Sequence, residues 1–384
     1  MSTPGGLRVL VAAGGTGGHV FPGLALARTL VARDPSITVS FAGTGRGIET
    51  TAVPEAGFEL DLLPILPLSR RVSIESALSP FAAVAGVGAA ARLIRRRRID
   101  VVAGMGGYVT LPVALGARLA GVPVVLHEQN AVPGIANKRA AAVAHTVALG
   151  VPEAAKAFGR ARTRVVGNPV RPELAHLDRG ALRLEALAAF GLDPARRTLF
   201  VFGGSQGARR INNALIGTAG RWPEPAAVQI LHACGRRDGS IVRDGWAAAE
   251  VGDLLVRIEP FIDRMDLAYA AADLAVTRAG ALTVAELTCA GVPAIMVPLP
   301  HATAGHQAAN AAVLAAAGGV VHVPDAELTG ERLAEEAGSL LAEPATLAEM
   351  GKVMRDLALP DAADDLADLV LEAAGSQGEQ GGRP

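Results

Sequence analysis

The chain has 384 residues, half of them hydrophobic, 19% charged and 3% aromatic, with a formal net charge of −1. So much apolar mass excludes a disordered chain. The near-neutral balance argues against a dedicated nucleic-acid binder, and the shortage of aromatics against a stacking surface for single strands. Length alone favours two domains. Cys234 and Cys289 show no metal-ligand spacing, which predicts free thiols in a reducing compartment, with Cys289 a small core residue. Residues 1–6 lack the basic start of a secretory leader, and no uncharged stretch reaches the length of a membrane span.

In chain order, residues 7–13 read as a buried strand, Gly14-Gly15-Thr16-Gly17-Gly18 as a glycine loop and 21–30 as a helix. Apolar runs at 39–42, 101–103, 124–126, 146–149 and 164–166 fit parallel strands covered by helices. Between them, 62–68 is apolar with two prolines and is followed by Arg70 and Arg71. An apolar segment at 78–91 then ends in Arg92 and Arg95-Arg96-Arg97-Arg98. From Leu62 to Arg98 this is the composition of a patch that docks on anionic lipid. The plainer reading is a core helix whose C-terminal cations complement its dipole.

Gly167-Asn168-Pro169-Val170-Arg171-Pro172 reads as a stiff connector. Beyond it the first pattern returns: strand 198–202, loop Gly203-Gly204-Ser205-Gln206-Gly207 and helix 209–215. A second block recurs too, an acid before a strand, a glycine loop, a helix, Ala-Gly-Val-Pro and another strand. It runs from Asp100 through Pro123 and again from Asp273 through Pro293. Two blocks repeated in order predict two similar α/β domains in tandem. Further strands are predicted at 229–233, 254–258, 274–277, 294–297 and 319–323, and a last helix at 361–374.

The glycine loops let a ligand approach the main chain, and helix starts attract phosphate. Neither loop is followed by the acid of a nicotinamide site or the Gly-Lys-[Ser/Thr] of a P-loop. Five segments taken together are more specific. They are 14–23 (Gly-Gly-Thr-Gly-Gly-His-Val-Phe-Pro-Gly), Gly106-Gly107-Tyr108-Val109, His127-Glu128-Gln129-Asn130, Gly203-Gly204-Ser205-Gln206-Gly207-Ala208, and Gly280-Ala281-Leu282-Thr283-Val284-Ala285-Glu286 with Gly305-His306-Gln307 downstream. In this order, from about Arg8 to Ala374, the chain resembles the peptidoglycan N-acetylglucosaminyltransferases of glycosyltransferase family 28.

The resemblance implies a GT-B fold of two Rossmann-like domains, their parallel sheets facing a central cleft. The domains would be an acceptor- and membrane-facing 1–168, a donor-binding 169–358, a helix 359–374 returning to the first domain, and a disordered tail 375–384. The donor would be UDP-N-acetylglucosamine. The acceptor would be undecaprenyl-pyrophosphoryl-N-acetylmuramyl-pentapeptide (lipid I), giving lipid II by inverting β-1,4 transfer. No cofactor or catalytic metal is implied. The place of action would be the cytoplasmic face of the cell membrane, held peripherally, with other cell-wall synthesis and division proteins as partners.

Each site residue has a chemical reason beside the resemblance. His19 stands at a helix start, whose positive end should keep its imidazole neutral and fit to act as general base; the alternative is a polar loop residue that only orients. Glu128 and Asn130 offer binding, orientation or an alternative base, and Tyr108 lies on the same side. Thr16, Gly17 and Gly18 would contact the donor sugar and the acceptor's pyrophosphate. Arg171 suits a diphosphate. Ser205 and Gln206 suit a phosphate, although Ser205 is also an ordinary helix N-cap. By resemblance, the Ile262 backbone would read the uracil edge, and 281–286 would hold the nucleotide with Glu286 on the ribose. Thr283-x-x-Glu286 is equally a capping box. Gln307 suits sugar hydroxyls, but Ala302-Thr303-Ala304 before it is less polar than the family pattern. Rival activities are an epimerase of UDP-N-acetylglucosamine and a transferase acting on diacylglycerol or sterol. The rival without turnover is a nucleotide-sugar sensor.

Overall fold

The computed structural model describes residues 6–65, 79–204, 207–300, 302 and 305–380. The chain divides into two compact units, Met1–Arg171 with Pro360–Pro384, and Pro172–Leu359.

The first unit is built on seven parallel strands: β1 Arg8–Ala12, β2 Thr38–Gly43, β3 Glu59–Leu62, β4 Val101–Gly104, β5 Val124–Glu128, β6 Thr146–Leu149 and β7 Thr163–Val165. Their order is β3-β2-β1-β4-β5-β6-β7. The inner strands are buried on both faces, as their unbroken apolar runs require. β3 is different. It is an exposed edge strand of sequence Glu-Leu-Asp-Leu, with no apolar run to mark it. The order reverses between β1 and β4, which pair directly through Val9↔Val101 to Ala12↔Gly104. In open α/β sheets ligands bind outside the carboxyl ends of strands at this switch point. Both glycine loops of the unit leave the sheet there, one after β1 and one after β4.

The second unit repeats the plan with six parallel strands: β8 Arg197–Phe202, β9 Val228–Ala233, β10 Leu255–Glu259, β11 Leu274–Thr277, β12 Ala294–Met296 and β13 Val320–His322. Their order is β10-β9-β8-β11-β12-β13. Its switch point lies between β8 and β11, again beside two glycine loops. The fold is thus two Rossmann-like α/β units in tandem. Both cysteines are free; Cys234 is buried, while Cys289 is half-buried rather than a core residue.

The last helix, Ala362–Gln380, belongs to the first unit. Leu366, Ala367, Leu369, Val370 and Ala373 join the core formed by Val9, Val11, Leu26, Leu30 and Val101. Arg33 anchors this helix through Asp364 at 2.6 Å and through Asp368. Glu372 meets Arg162 at 2.8 Å and Arg164 at 3.3 Å. The helix runs on through residues 375–380. Residues 381–384 lie outside the described residues.

Leu366 is wholly buried against the first unit's sheet. Leu366→Ala should destabilise that unit by about 2–4 kcal/mol in urea unfolding. Arg164→Ala, on an exposed pair, should cost about 1 kcal/mol or less.

Candidate functional site

In the first unit the four-residue loop after β1 runs straight into the helix Gly17–Arg33, whose N-cap, Thr16, is extended. Gly17 and Gly18 therefore lie inside the first turn, not in the loop. Their amides have no intrahelical acceptor, which is the property that makes a helix start an anion site. His19 is the third residue of this helix and is half-buried. Its Nδ1 lies 3.3 Å from Thr16 Oγ1.

The loop after β4 backs the His19 ring. Gly106 and Gly107 have φ of +94° and +75°. A Cβ on Gly106 would stand 2.9 Å from His19 Cδ2, and one on Gly107 would stand 3.2 Å from Nδ1. Only glycine fits both the backbone and the space. The buried Thr110 hydroxyl holds this turn: it accepts from the Gly106 N–H at 2.9 Å and donates to the Gly106 carbonyl at 2.7 Å.

His127, Glu128 and Gln129, at the end of β5, organise the rest. Gln129 Nε2 donates to His127 Nδ1 at 3.0 Å, so the ring proton sits on Nε2 and is donated to the Gly167 carbonyl at 2.9 Å. The same amide reaches the Met105 carbonyl at 2.7 Å, and Asn168 Nδ2 donates to the Gln129 carbonyl at 3.0 Å. The β5 end, the Gly106 loop and the connector Gly167–Asn168 are one hydrogen-bonded body. Glu128 is 2% exposed. Its Oε1 accepts from the Asn130 N–H and side-chain amide at 3.1 and 3.3 Å, and its Oε2 from the Gly134 N–H and Asn137 Nδ2 at 3.1 and 2.9 Å. Four donors fill the carboxylate, which fits it to shape the 128–134 loop rather than to abstract a proton. Asn130 and Tyr108 are half-buried beside these loops, and Arg171 is half-buried at the end of the connector.

In the second unit, Ala281–Ala290 is a helix with Gly280 as its N-cap. The capping-box reading of Thr283 and Glu286 is therefore corrected: Thr283 is the third helical residue, one turn too late to cap. Glu286 Oε2 instead accepts from the Tyr269 hydroxyl at 2.9 Å. Tyr269 is fully buried against Phe200 and Phe202, so the phenol fixes how the carboxylate is presented. Ala281, Leu282 and Ala285 are half-buried and Val284 is buried on the same helix. Ile262 is 7% exposed, its side chain packed inward. Its neighbour Phe261 carries the Arg236 guanidinium 4.4 Å from the ring centre. Gln307 Oε1 accepts from the Leu299 N–H at 2.9 Å. Ser205 and Gln206 lie outside the described residues, as do residues 66–78, which include Arg70 and Arg71.

Several supporting residues carry no local signature. Arg278 donates to the Val297 and Pro298 carbonyls and pairs with Asp325 at 2.6 Å, tying the loop after β11 to the loop after β12. Asn310 Nδ2 holds the Ala279 carbonyl at 3.1 Å. Behind Gly207, Trp246 donates to His232 Nδ1, His232 to Asn212 Oδ1, and Asn212 to the Cys234 carbonyl and Asp238. In the first unit the buried Glu49 holds the Gly15 N–H at 2.9 Å. Among the described residues no three His, Cys, Asp or Glu side chains gather as a metal site.

Tandem Rossmann-like sheets, each with glycine loops and a helix start at its switch point, define a protein of the GT-B class. Residues 9–149 match the glycosyltransferase family 28 N-terminal domain and residues 198–366 its C-terminal domain. The chain belongs to glycosyltransferase family 28, and is a glycosyltransferase. It is 45% identical over 366 residues to the UDP-N-acetylglucosamine–N-acetylmuramyl-(pentapeptide) pyrophosphoryl-undecaprenol N-acetylglucosamine transferase of Nocardioides sp., covering 95% of this chain and 98% of that one. The crystal structure of Acinetobacter baumannii MurG is similar with a TM-score of 0.78 at 32% identity, covering 95% of this chain and 99% of that one. A UDP-GlcNAc 2-epimerase from Neisseria meningitidis, bound to UDP-GlcNAc, shares the fold with a TM-score of 0.64 at 13% identity, covering 95% of this chain and all of that one.

Burial pushes both His127 and His232 down to about 4. The unfolded chain takes up these protons near 6.5 and the folded chain near 4, so the stability they confer is complete above 6.5 and lost as pH falls toward 4. Each should remove roughly 3 kcal/mol across that window. Urea midpoints should be level above pH 7 and fall steeply below 6.5, and His127→Gln should flatten the first unit's share of the fall.

Proposed function

We propose that the protein transfers N-acetylglucosamine from UDP-N-acetylglucosamine to the 4-hydroxyl of N-acetylmuramic acid in undecaprenyl-pyrophosphoryl-N-acetylmuramyl-pentapeptide, inverting the configuration at C1. The observation that carries this reading is the reach of the likeness: 45% identity extends over 95% of the chain, acceptor-side loops included, and not over a nucleotide-binding half alone. A sensor that bound the donor without turnover would have no need of the His19, Tyr108 and 127–130 constellation.

In this reading the second unit holds the donor. Glu286, oriented by Tyr269, accepts hydrogen bonds from the ribose hydroxyls; Ile262 presents its backbone to the uracil; and Gln307 serves the sugar. Ser205 and Gln206 serve the diphosphate in the loop after β8. The first unit holds the acceptor, with the amides of Gly17 and Gly18 suited to its pyrophosphate. His19 is the general base. With its Nδ1 proton donated to Thr16 Oγ1, Nε2 keeps the lone pair that takes the 4-hydroxyl proton. The freed oxygen bonds to C1, the bond from C1 to the diphosphate oxygen breaks, and UDP leaves with that electron pair. Arg171 meets the charge that grows on the diphosphate. The chemistry calls on no resident cofactor or metal.

The test is UDP release with and without the lipid-linked acceptor. Release that needs the acceptor supports transfer, whereas conversion of the donor to its manno epimer would establish the rival activity. His19→Ala should lower kcat by about 10²–10⁴-fold with UDP affinity unchanged; equal losses in both would assign His19 a binding role.

The acceptor is lipid-borne, and no helix among the described residues is long and apolar enough to cross a membrane. In this reading the first unit works against the cytoplasmic face of the membrane, where it would meet that acceptor. The helix Ser79–Arg97 turns Val84, 73% exposed, outward together with Gly88, Arg92, Arg95 and Arg96. Leu62 and Leu119 are 58% and 62% exposed on the same unit. The arginine run is partly structural. Arg96 and Arg97 pair with Asp61 and Glu59 of β3, and Arg95 donates to the Leu119 carbonyl. Replacing that whole run would loosen the fold. Val84→Asp with Arg92→Gln should instead cut binding to anionic vesicles about tenfold or more and leave turnover of a short-chain soluble acceptor unchanged. Undiminished vesicle binding would refute this docking face.

A further inference from the structure

We propose that Glu49 is a positioning residue of the transfer reaction, the anchor that holds the glycine loop leading into the His19 helix in its working shape. This rests on the reading of His19 given above.

Glu49 is the first residue of the short helix Glu49–Glu55 after β2, and it is 0% exposed. No lysine or arginine pairs with it among the described residues. Its partners are neutral donors from two loops. Oε2 accepts from the Gly15 N–H at 2.9 Å. Oε1 accepts from the Thr44 N–H at 3.2 Å and the Thr44 hydroxyl at 3.0 Å. Burying a carboxylate without a cation is costly, and the fold makes room for it. A Cβ on Gly47 would fall 1.9 Å from Oε2, one on Gly43 would fall 2.8 Å from Glu49 Cγ, and one on Gly14 would fall 3.0 Å from Oε1. Three glycines, one in the loop after β1, one at the end of β2 and one in the loop that follows it, clear the space that one side chain fills.

The anchor continues past the carboxylate. Thr44 has spent its hydroxyl proton on Glu49, so in the 2.7 Å contact between Thr44 Oγ1 and the Tyr108 hydroxyl it is Tyr108 that donates. The Tyr108 ring in turn covers Gly15, its Cε1 3.3 Å from where a Cβ would be. Gly15 has a φ of +89°. It is therefore clamped from both sides, by a carboxylate on its N–H and by an aromatic edge over its Cα. The loops after β1, β2 and β4 are locked together, and Thr16 and His19 follow directly from the clamped residue. The carboxylate is specifically required: a glutamine amide would turn its own N–H groups toward one of these donors. Glu49 touches no substrate in this arrangement; it acts through Gly15.

The experiment compares wild type, Glu49→Gln, Thr44→Val and Thr44→Ser for kcat, donor KM, UDP affinity and amide exchange of residues 14–20. Glu49→Gln should lower kcat about 10–100-fold, leave donor KM and UDP affinity within about twofold, and speed exchange across the loop. Thr44→Val, which loses the hydroxyl, should show a smaller loss of the same kind, and Thr44→Ser should restore wild-type kcat. If Glu49→Gln does not fold, the threonine pair decides alone. Unchanged kcat and loop exchange in Glu49→Gln, or in Thr44→Val, would overturn the proposal while an active wild type upheld the transfer reading. A fall in UDP affinity matching the fall in kcat would also overturn it, by showing general loosening. A wild type that releases no UDP in response to the acceptor would overturn the transfer reading and this proposal with it.

Discussion

The geometry at the first unit's switch point rests on the contact between the His19 ring and the backbone of Gly106–Gly107. The imidazole stands at the first turn of a helix, where it would otherwise sweep several rotamers. Here it is backed by a peptide that carries no side chains and is held in a conformation that side chains resist. Thr110 fixes that peptide from below, and Thr16 meets the ring from the side. In the proposed transfer, a ring held this way would give up little freedom when the acceptor arrives, which is how a weak general base becomes an effective one.

The two units answer the same problem with different chemistry. Each must hold a glycine-rich turn rigid at a sheet's switch point, although glycine is the residue least able to hold itself. The first unit uses a buried carboxylate, Glu49, closed off by Thr44 and Tyr108. The second uses a relay, Trp246 to His232 to Asn212 to Asp238, behind Gly207, and an ion pair, Arg278 with Asp325, behind Gly280. That relay ends on the buried Asp238 carboxylate, which Arg209 pairs at 3.3 Å, so the charge behind this turn is balanced by a cation. A carboxylate behind the first unit's loop is tolerable because its field is spent on three donors.

What could be read from the residues follows the same division. Both sheets and the tandem plan were legible, because inner strands are apolar on both faces and the loop motif recurs with its spacing intact. β3 was not: an edge strand of Glu-Leu-Asp-Leu needs to be apolar on neither face, and its acids make sense only beside Arg96 and Arg97. Glycine loops and the helix starts beside them announce themselves within ten residues. Their buttresses do not. Glu49 lies 34 residues from Gly15, Asp325 lies 47 from Arg278, and His232 lies 20 from Asn212. No local pattern links such partners; only the parallel sheet, which carries distant strand ends to one edge, brings them together. The capping-box reading of Thr283 failed for a related reason, since Gly280 already supplies the extended residue that starts the helix.

The placement of the last helix has a bearing on how the molecule is made. Its apolar side completes the core against β1, β4 and the helix Gly17–Arg33, yet the ribosome delivers it only after all of Pro172–Leu359. During synthesis the first sheet emerges with part of one face uncovered, and it waits in that state while a complete second unit is translated and folds. The order of biogenesis is thus inverted relative to the order of the sequence: the half encoded later can mature first, and the half encoded first is sealed only when Ala362–Gln380 follows. A chain cut short before Ala362 would carry the second unit complete and leave the first with an unfinished core, prone to aggregate.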